Sequence, residues 1–266
     1  MRYFRKYLLV LKLSWQNGLV YRTSLLMWRL RQFLSSLMSL TIWQVMFTSN
    51  QTLFNYQEKE MISYIFLVSF LQSMILATIM HGLAADIYSG KISDILLKPI
   101  NLFAYLATLD LSDKLKNIFF ASIEAIILAF IFHPVIVLPS LTNLVIFIFT
   151  ILIGVILYFL VQLLFGSIGF WSPETWAPRF LFMMFLEFTA GKLFPLDILP
   201  QFVQKIIFLT PFPYFSYFQI QVFLNRLTTT QLLTYLLTSI LWIILLTVIV
   251  SKLWQRGIKE YQAAGI

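Results

Sequence analysis

Five stretches of this chain stay apolar for the length of a bilayer: Leu25–Thr48, Met61–Ala85, Leu115–Phe132, Leu141–Ile168 and Leu232–Leu253. A helix crossing the hydrocarbon core needs about 20 predominantly apolar residues. With no water to bond the backbone at that depth, such stretches must satisfy their own amides and carbonyls, which makes them helices. The chain therefore reads as an all-α membrane protein. Its charge agrees: 11 % of the 266 residues are Asp, Glu, Lys or Arg, against about 25 % in soluble domains. No segment is polar enough to be a soluble ATPase, kinase or nucleic-acid-binding domain, so residues 1–266 read as a single transmembrane domain.

A sixth apolar stretch, Phe180–Phe194, is short and carries Glu187. Behind it, residues 191–225 are aromatic and broken by Pro195, Pro200, Pro211 and Pro213. Proline removes a backbone donor and ends helices, and backbone broken in this way survives at membrane depth only when it is buried in protein or lines a wet cavity. This segment is expected to form two short re-entrant helices, Phe202–Leu209 and Phe215–Leu224, between the fifth and sixth spans. The expectation is thus six transmembrane helices.

With six spans, one side collects Arg2, Arg5, Lys6, Lys12, Arg22, Arg29, Arg31, Lys91, Lys98, Lys114, Lys116, Arg179, Lys252, Arg256 and Lys259. The other side holds Lys59, Lys192, Lys205 and Arg226. The positive-inside rule then places both termini in the cytoplasm. The net charge of +8 is accounted for without a nucleic-acid partner. Residues 1–22 lack a small-residue cleavage site and read as an amphipathic interfacial helix, with Phe4, Leu8, Leu11 and Trp15 opposite Arg2, Arg5, Lys6 and Lys12.

Hydrolytic chemistry finds little to build on. There is no Cys, and His81 and His133 stand alone in separate spans, so neither a thiol nucleophile nor a His-rich metal site can be assembled. Gly90-Lys91 is followed by Ile92 where a phosphate loop needs Ser or Thr for magnesium. Glu124 and Glu187 are intramembrane acids, which are costly unless partnered. Glu124 reads as a structural hydrogen-bonding group. Glu187 divides between a gating acid, paired with Lys192 near the outer face, and a carboxylate satisfied by a neighbouring helix. Gly154, Gly166, Ser167 and Gly169 permit close helix approach.

Two loops carry the most information. In residues 86–100, Gly90 allows a sharp turn, Ser93 is expected to cap a short helix and Pro99 to stop it. That helix would show Ile92, Ile95, Leu96 and Leu97 on one side and Lys91, Asp94 and Lys98 on the other, suited to a groove on a soluble partner or to lipid headgroups. In residues 191–200, Gly191-Lys-Leu-Phe-Pro195 followed by Asp197 and Pro200 marks a chain reversal near the outer surface.

The sequence Ser89-Gly-Lys-Ile-Ser-Asp-Ile-Leu-Leu-Lys-Pro99, the triplet Gly169-Phe-Trp171 and the run Ala190-Gly-x-x-Phe-Pro-Leu-Asp-x-x-Pro200 then Pro211-Phe resemble, in this order, the permease subunits of ABC-2-type exporters without an attached ATPase. The resemblance implies that Gly90, Lys91, Ile92, Ser93, Asp94, Ile95, Leu97, Lys98 and Pro99 form a coupling loop on a separate cytosolic ATPase, which holds the ATP and magnesium. It implies no cofactor on this chain, and a second permease, identical or related, as dimer partner in the cell membrane. It makes Glu187, Lys192, Pro195, Asp197 and Pro200 pathway or gate candidates. Lys98 departs from the Arg often found there, and a lysine lacks the guanidinium fork. An apolar, narrow pathway would suit an amphipathic or lipid-linked substrate. The alternatives are an ion-coupled secondary transporter using Glu187 or Glu124, and a scaffold without transport.

Overall fold

The computed structural model describes residues 2–20, 22–49 and 52–261, with backbone alone for residues 2–4. The helices in chain order are α1 (Arg2–Val20), α2 (Arg22–Phe47), α3 (Glu58–Leu71), α4 (Leu83–Tyr88), α5 (Ser93–Leu96), α6 (Leu102–Phe132), α7 (Leu141–Ser167), α8 (Trp176–Thr189), α9 (Gln201–Phe208), α10 (Tyr217–Phe223) and α11 (Thr229–Glu260). The strands among the described residues form one small hairpin, β1 (Thr52–Leu53) against β2 (Tyr56–Gln57). Its turn residues Phe54 and Asn55 have φ of 52° and 63°, as a tight two-residue hairpin turn requires. No apolar run announced this hairpin in the sequence.

Among the described residues, four helical segments are long and apolar enough to cross a membrane: 58–76, 102–132, 141–170 and 229–260. The count of six is not reached on that measure. Helix α2 has the length, at 26 residues, but carries Arg29 and Arg31. Helix α8 has 14 residues, short of the roughly 20 that a perpendicular crossing takes.

The second expected span does not run unbroken to Ala85. Helix α3 opens into a π-turn at Gln72–Leu76, and Ala77 leaves helical geometry at φ −66°, ψ 132°. Nothing in Gln-Ser-Met-Ile-Leu-Ala-Thr-Ile breaks a helix by itself. The break is held from outside: Lys114 Nζ donates to the carbonyls of Ile75 at 3.0 Å and Ala77 at 2.5 Å, groups that a helix end leaves unsatisfied. Lys114 also pairs with Asp110 at 3.1 Å, and both side chains are only 4 % exposed.

These contacts correct the reading of Lys114 and Lys116 as loop charges. Helix α6 starts at Leu102, well before the expected Leu115, and both lysines lie inside it and are buried. Lys116 pairs with Asp113 at 2.8 Å. Arg29 and Arg179, also counted among the cations of the cytoplasmic side, are buried too.

Helix α1 runs beside the first half of α6. Asn101 N donates to Tyr7 Oη at 3.2 Å, Ser112 Oγ donates to the Leu11 carbonyl at 3.1 Å, and Gly18 lies against the Lys116 side chain. Its inner stripe is Tyr7, Val10, Leu11, Ser14, Trp15 and Gly18, while Leu8, Leu9 and Leu13 point outward. The expected face is therefore redrawn, with Leu8 outside it; the side chains of Arg2 and Phe4 lie outside the described residues. A helix that needs one stripe for a neighbouring helix and another for lipid cannot show a single polar-apolar divide.

Helix α7 is the centre of the bundle, touching α11, α10, α4 and the π-turn. Its inward residues Ile151, Leu157, Tyr158, Val161 and Leu163 belong to the one continuous apolar core. Just past its end, a side chain on Gly169 would stand 2.6 Å from Ala84 Cα and closer still to its carbonyl oxygen. Only glycine lets this turn lie flat on α4.

Candidate functional site

The 86–100 loop turns at Gly90, whose φ of 82° is open to glycine at little cost. Helix α5 is a single turn, Ser93–Leu96, preceded by Ile92 in helical conformation and without a side-chain cap. Ser93 does not cap it, because the turn begins one residue earlier; its hydroxyl donates instead to Tyr261 Oη at 3.4 Å. The expected apolar side is divided. Ile92 is 2 % exposed and Ile95 half-buried against the core, while Leu96 and Leu97 face out, Leu97 at 86 % exposure. Lys91, Asp94, Lys98 and Pro99 are also exposed. Lys91 meets Asp86 at 3.2 Å, a surface pair that adds little stability.

This projecting tip is braced on three sides. Lys6 Nζ donates to the Pro99 carbonyl at 3.2 Å from α1. Helix α4 rests on the Ile168–Phe170 turn. Phe170 then meets Trp254 and Tyr261 edge-on, with centroids 5.2 and 5.8 Å away, and covers Gly257. Trp171 Nε1 donates to Glu260 Oε2 at 2.6 Å. Gly169-Phe170-Trp171 therefore ties the loop to the last helix, and both ends of the described chain reach the same end of the bundle as residues 86–100.

Between α2, the α3 π-turn and α8 lies a groove made of two adjoining cavities, about 290 Å³ and 570 Å³. They share Arg31, Gln32, Gln72, Glu187 and Lys192 at their waist. Gln32 Nε2 donates to Gln72 Oε1 at 2.7 Å, and Ser36 and Ser69 hydroxyls meet at 2.8 Å. Glu187 and Lys192 form an ion pair. Arg29 grips Glu124 through Nε and Nη2, each at 2.7 Å, and reaches Asn117 and Ser73 through Nη1. That two-pronged contact is the strong form of a charge-assisted bond, and it commits Glu124 to a structural partner.

Toward the other end, Pro195 and Pro200 start the 3-10 turn Leu196–Ile198 and α9, and Pro211 precedes a second 3-10 turn, Phe212–Phe215. The two expected short helices appear as α9 and α10, and the chain reverses between them. The Ala190 carbonyl accepts from Ser216 Oγ and Tyr217 N, and Tyr64 Oη donates to the Gly191 carbonyl at 2.6 Å. Asp197 accepts from Tyr56 Oη at 2.9 Å, and Tyr56 Oη accepts from Gln221 Nε2 at 2.5 Å. The Arg226 guanidinium stacks 3.8 Å over the Tyr56 ring and pairs with Glu60 at 3.2 Å. Burial holds the Asp197 carboxyl above its ordinary range, against the lowering effect of the Tyr56 hydrogen bond. The Tyr56 hydroxyl is pushed up mainly by burial and by the Asp197 charge.

The sequence candidates thus fall at three separate places: residues 90–99 at one end, Glu187 and Lys192 in the groove, and Pro195, Asp197 and Pro200 in the cap. Tyr56, Gln221 and Arg226 cluster around Asp197, Arg29 and Lys114 hold Glu124 and the π-turn, and none of the five was named as a site residue from the sequence. Apart from the Asp110–Lys114 pair, which stands at helical i,i+4 spacing, these contacts join residues far apart in sequence, such as Lys114 with Ile75 and Tyr56 with Gln221, so local spacing does not flag them. Among the described residues no three His, Asp or Glu gather as a metal site would need.

A family profile described as ABC-2 family transporter protein matches residues 33–265 of the chain. No curated protein matches it at a significant level.

Proposed function

We propose, from the premise that this chain belongs to the ABC-2 family of transporter proteins, that it is the six-span permease subunit of an ATP-driven exporter. Its partners are a separate cytosolic ATPase, which binds ATP and magnesium, and a second permease copy or relative. Both termini lie in the cytoplasm of a cell that carries the complex in its cell membrane. Helices α2 and α8 supply the fifth and sixth crossings, α2 despite its arginines because Arg29 is neutralised by Glu124, and α8 together with the descending chain at 190–195.

The observation that carries the reading is the projecting tip Leu96–Pro99 on a braced base. An exposed apolar pair flanked by Asp94 and Lys98 is suited to a groove on a soluble protein. Its connections to α1, α4 and α11 let a push on the tip move whole helices instead of bending a loop. Closure of the ATPase pair would thereby change access to the α2–α8 groove, with the residue 191–225 cap as the outer gate. A groove polar at its waist and apolar above suits an amphipathic or lipid-linked substrate. An ion-coupled carrier gains no support, since Glu124 and Glu187 are both committed to cations.

The test is affinity purification of the tagged chain in mild detergent, with and without Leu97→Asp and Lys98→Glu. A co-purifying ATPase that is lost in the double variant is the expected result. A stable preparation with no ATPase that carries solute down a proton or sodium gradient would overturn the proposal.

A further inference from the structure

Follow the charges around the groove and one is left over. Arg29 is bound to Glu124, Lys192 to Glu187, and Asp113 to Lys116. Arg31 lines both cavities and forms no ion pair among the described residues; its guanidinium rests 5.2 Å over the Trp28 ring. Stacking on an aromatic face holds the guanidinium plane while leaving its in-plane N–H donors free. Those donors match a carboxylate or phosphate two at a time.

The surroundings grade along α2. Trp28, Arg31, Ser35, Met38, Ile42 and Met46 recur at helical spacing and all line the groove. Beside Arg31 the walls are hydrogen-bonding, at Gln32, Gln72 and Ser36, with the Glu187–Lys192 ion pair at the same waist. Farther toward the cap they turn apolar, at Met38, Ile42, Met46, Phe54 and Phe194. The larger cavity, at about 570 Å³, falls within the usual range for a small-molecule site. A cationic occupant would meet an unneutralised arginine, and a neutral one would leave its exposed donors to water.

We infer that Arg31 is the specificity-determining residue of the groove and selects an amphiphile with an anionic head, its phosphate or carboxylate on the guanidinium and its apolar tail toward Phe54 and Phe194. This rests on the permease reading above. The same head chemistry occurs on membrane lipids and on free amphiphiles, and the test separates them.

The purified chain in neutral detergent is titrated with brominated phosphatidylglycerol, brominated phosphatidylcholine and dibromostearate, following quenching of Trp43, which lines the larger cavity, with Trp43→Phe giving the background of the other tryptophans. Phosphatidylglycerol or dibromostearate, or both, should quench at about tenfold lower concentration than phosphatidylcholine, the value of one charge-assisted bond. Preference for the first alone identifies a lipid, and for the second alone a free amphiphile. Arg31→Gln should abolish the preference and Arg31→Lys retain most of it. Equal quenching by all three, or a preference untouched in Arg31→Gln, overturns the inference. Because the measurement uses the chain alone, an ATPase that co-purifies beside a missing anion preference sinks this inference only. A clear preference without any ATPase sinks the exporter reading only.

Discussion

A lysine with 4 % of its side chain exposed needs a reason to stay charged, and Lys114 has three in Asp110 and the carbonyls of Ile75 and Ala77. One Asp110 oxygen, Oδ1, has no partner, so the pair is incompletely satisfied and its net worth is small. Breaking it is another matter, because a lone buried charge costs about 3–5 kcal/mol. Lys114→Met should lower the melting temperature in detergent by roughly 10 °C, at about 2–4 °C per kcal/mol for a chain of this size. Lys114→Met with Asp110→Asn should recover part of it. Thermal unfolding followed by size-exclusion chromatography measures both, and a single variant that melts with the wild type would contradict the assignment. Read in sequence, Lys114 is one more basic residue at the start of an apolar run. Its role became visible only when the chain brought residue 75 beside it. Arg29 was hidden for the same reason, its partner Glu124 being on α6, whereas Glu187 and Lys192 stood close enough in sequence to be paired on paper.

At the scale of elements, the prolines wrote their own boundaries. Pro200 and Pro211 placed α9 and α10 to within a residue or two of what the sequence indicated, because proline acts through its own backbone. The break after Leu76 has no such author; it depends on Lys114, and neighbours of that kind leave no local trace. Gly169 is intermediate, legible as a place of close approach though not for what it approaches. Gly169→Val should drive α4 off the Ile168–Phe170 turn and loosen the loop it supports. Limited trypsin digestion at exposed Lys91 should then speed up about tenfold, the effect of roughly 1.4 kcal/mol of easier opening, and an unchanged rate would show that the loop is braced elsewhere.

The cap offers a second element-level test. Tyr56→Phe strips Asp197 of a donor and leaves Gln221 Nε2 without its acceptor, at about 1–3 kcal/mol. Amide exchange across 191–226 should rise by roughly tenfold to a hundredfold, with the 58–71 helix little changed. The raised Asp197 carboxyl sets the sign with pH. Its favourable contribution is complete below the unfolded value, near ~3.9, and is lost as pH climbs through the higher folded value. Asp197→Asn should therefore gain on the wild type in melting temperature at pH 7, and the gap should close as pH falls to about 4. A gap that widens on acidification would mean that the Tyr56 and Arg226 contacts outweigh burial.

For the whole molecule, the central fact is that the groove and the tip belong to different neighbours of α7. Helix α7 packs on α11, α10 and α4, a block that includes the brace of the coupling tip and the buried half of the cap. Helices α2 and α8 line the groove at its edge and bury few residues, and α2 packs on α3, α1 and α6 instead of on that block. Access to the groove should therefore change by movement of α2 against α8, with the α7 block as the frame. The absence of cysteine from this sequence makes this testable with a cysteine-free ATPase, since the introduced residues are then the only thiols in each permease chain. Ser39 on α2 and Leu193, just past the end of α8, both line the larger cavity. Ser39→Cys with Leu193→Cys, bridged by a short bis-maleimide in the complex with its ATPase, should leave nucleotide binding intact. Substrate-stimulated ATP hydrolysis and export should both fall to background, while a long flexible bridge restores most of each. Full export with the short bridge in place would mean that substrate does not pass between α2 and α8.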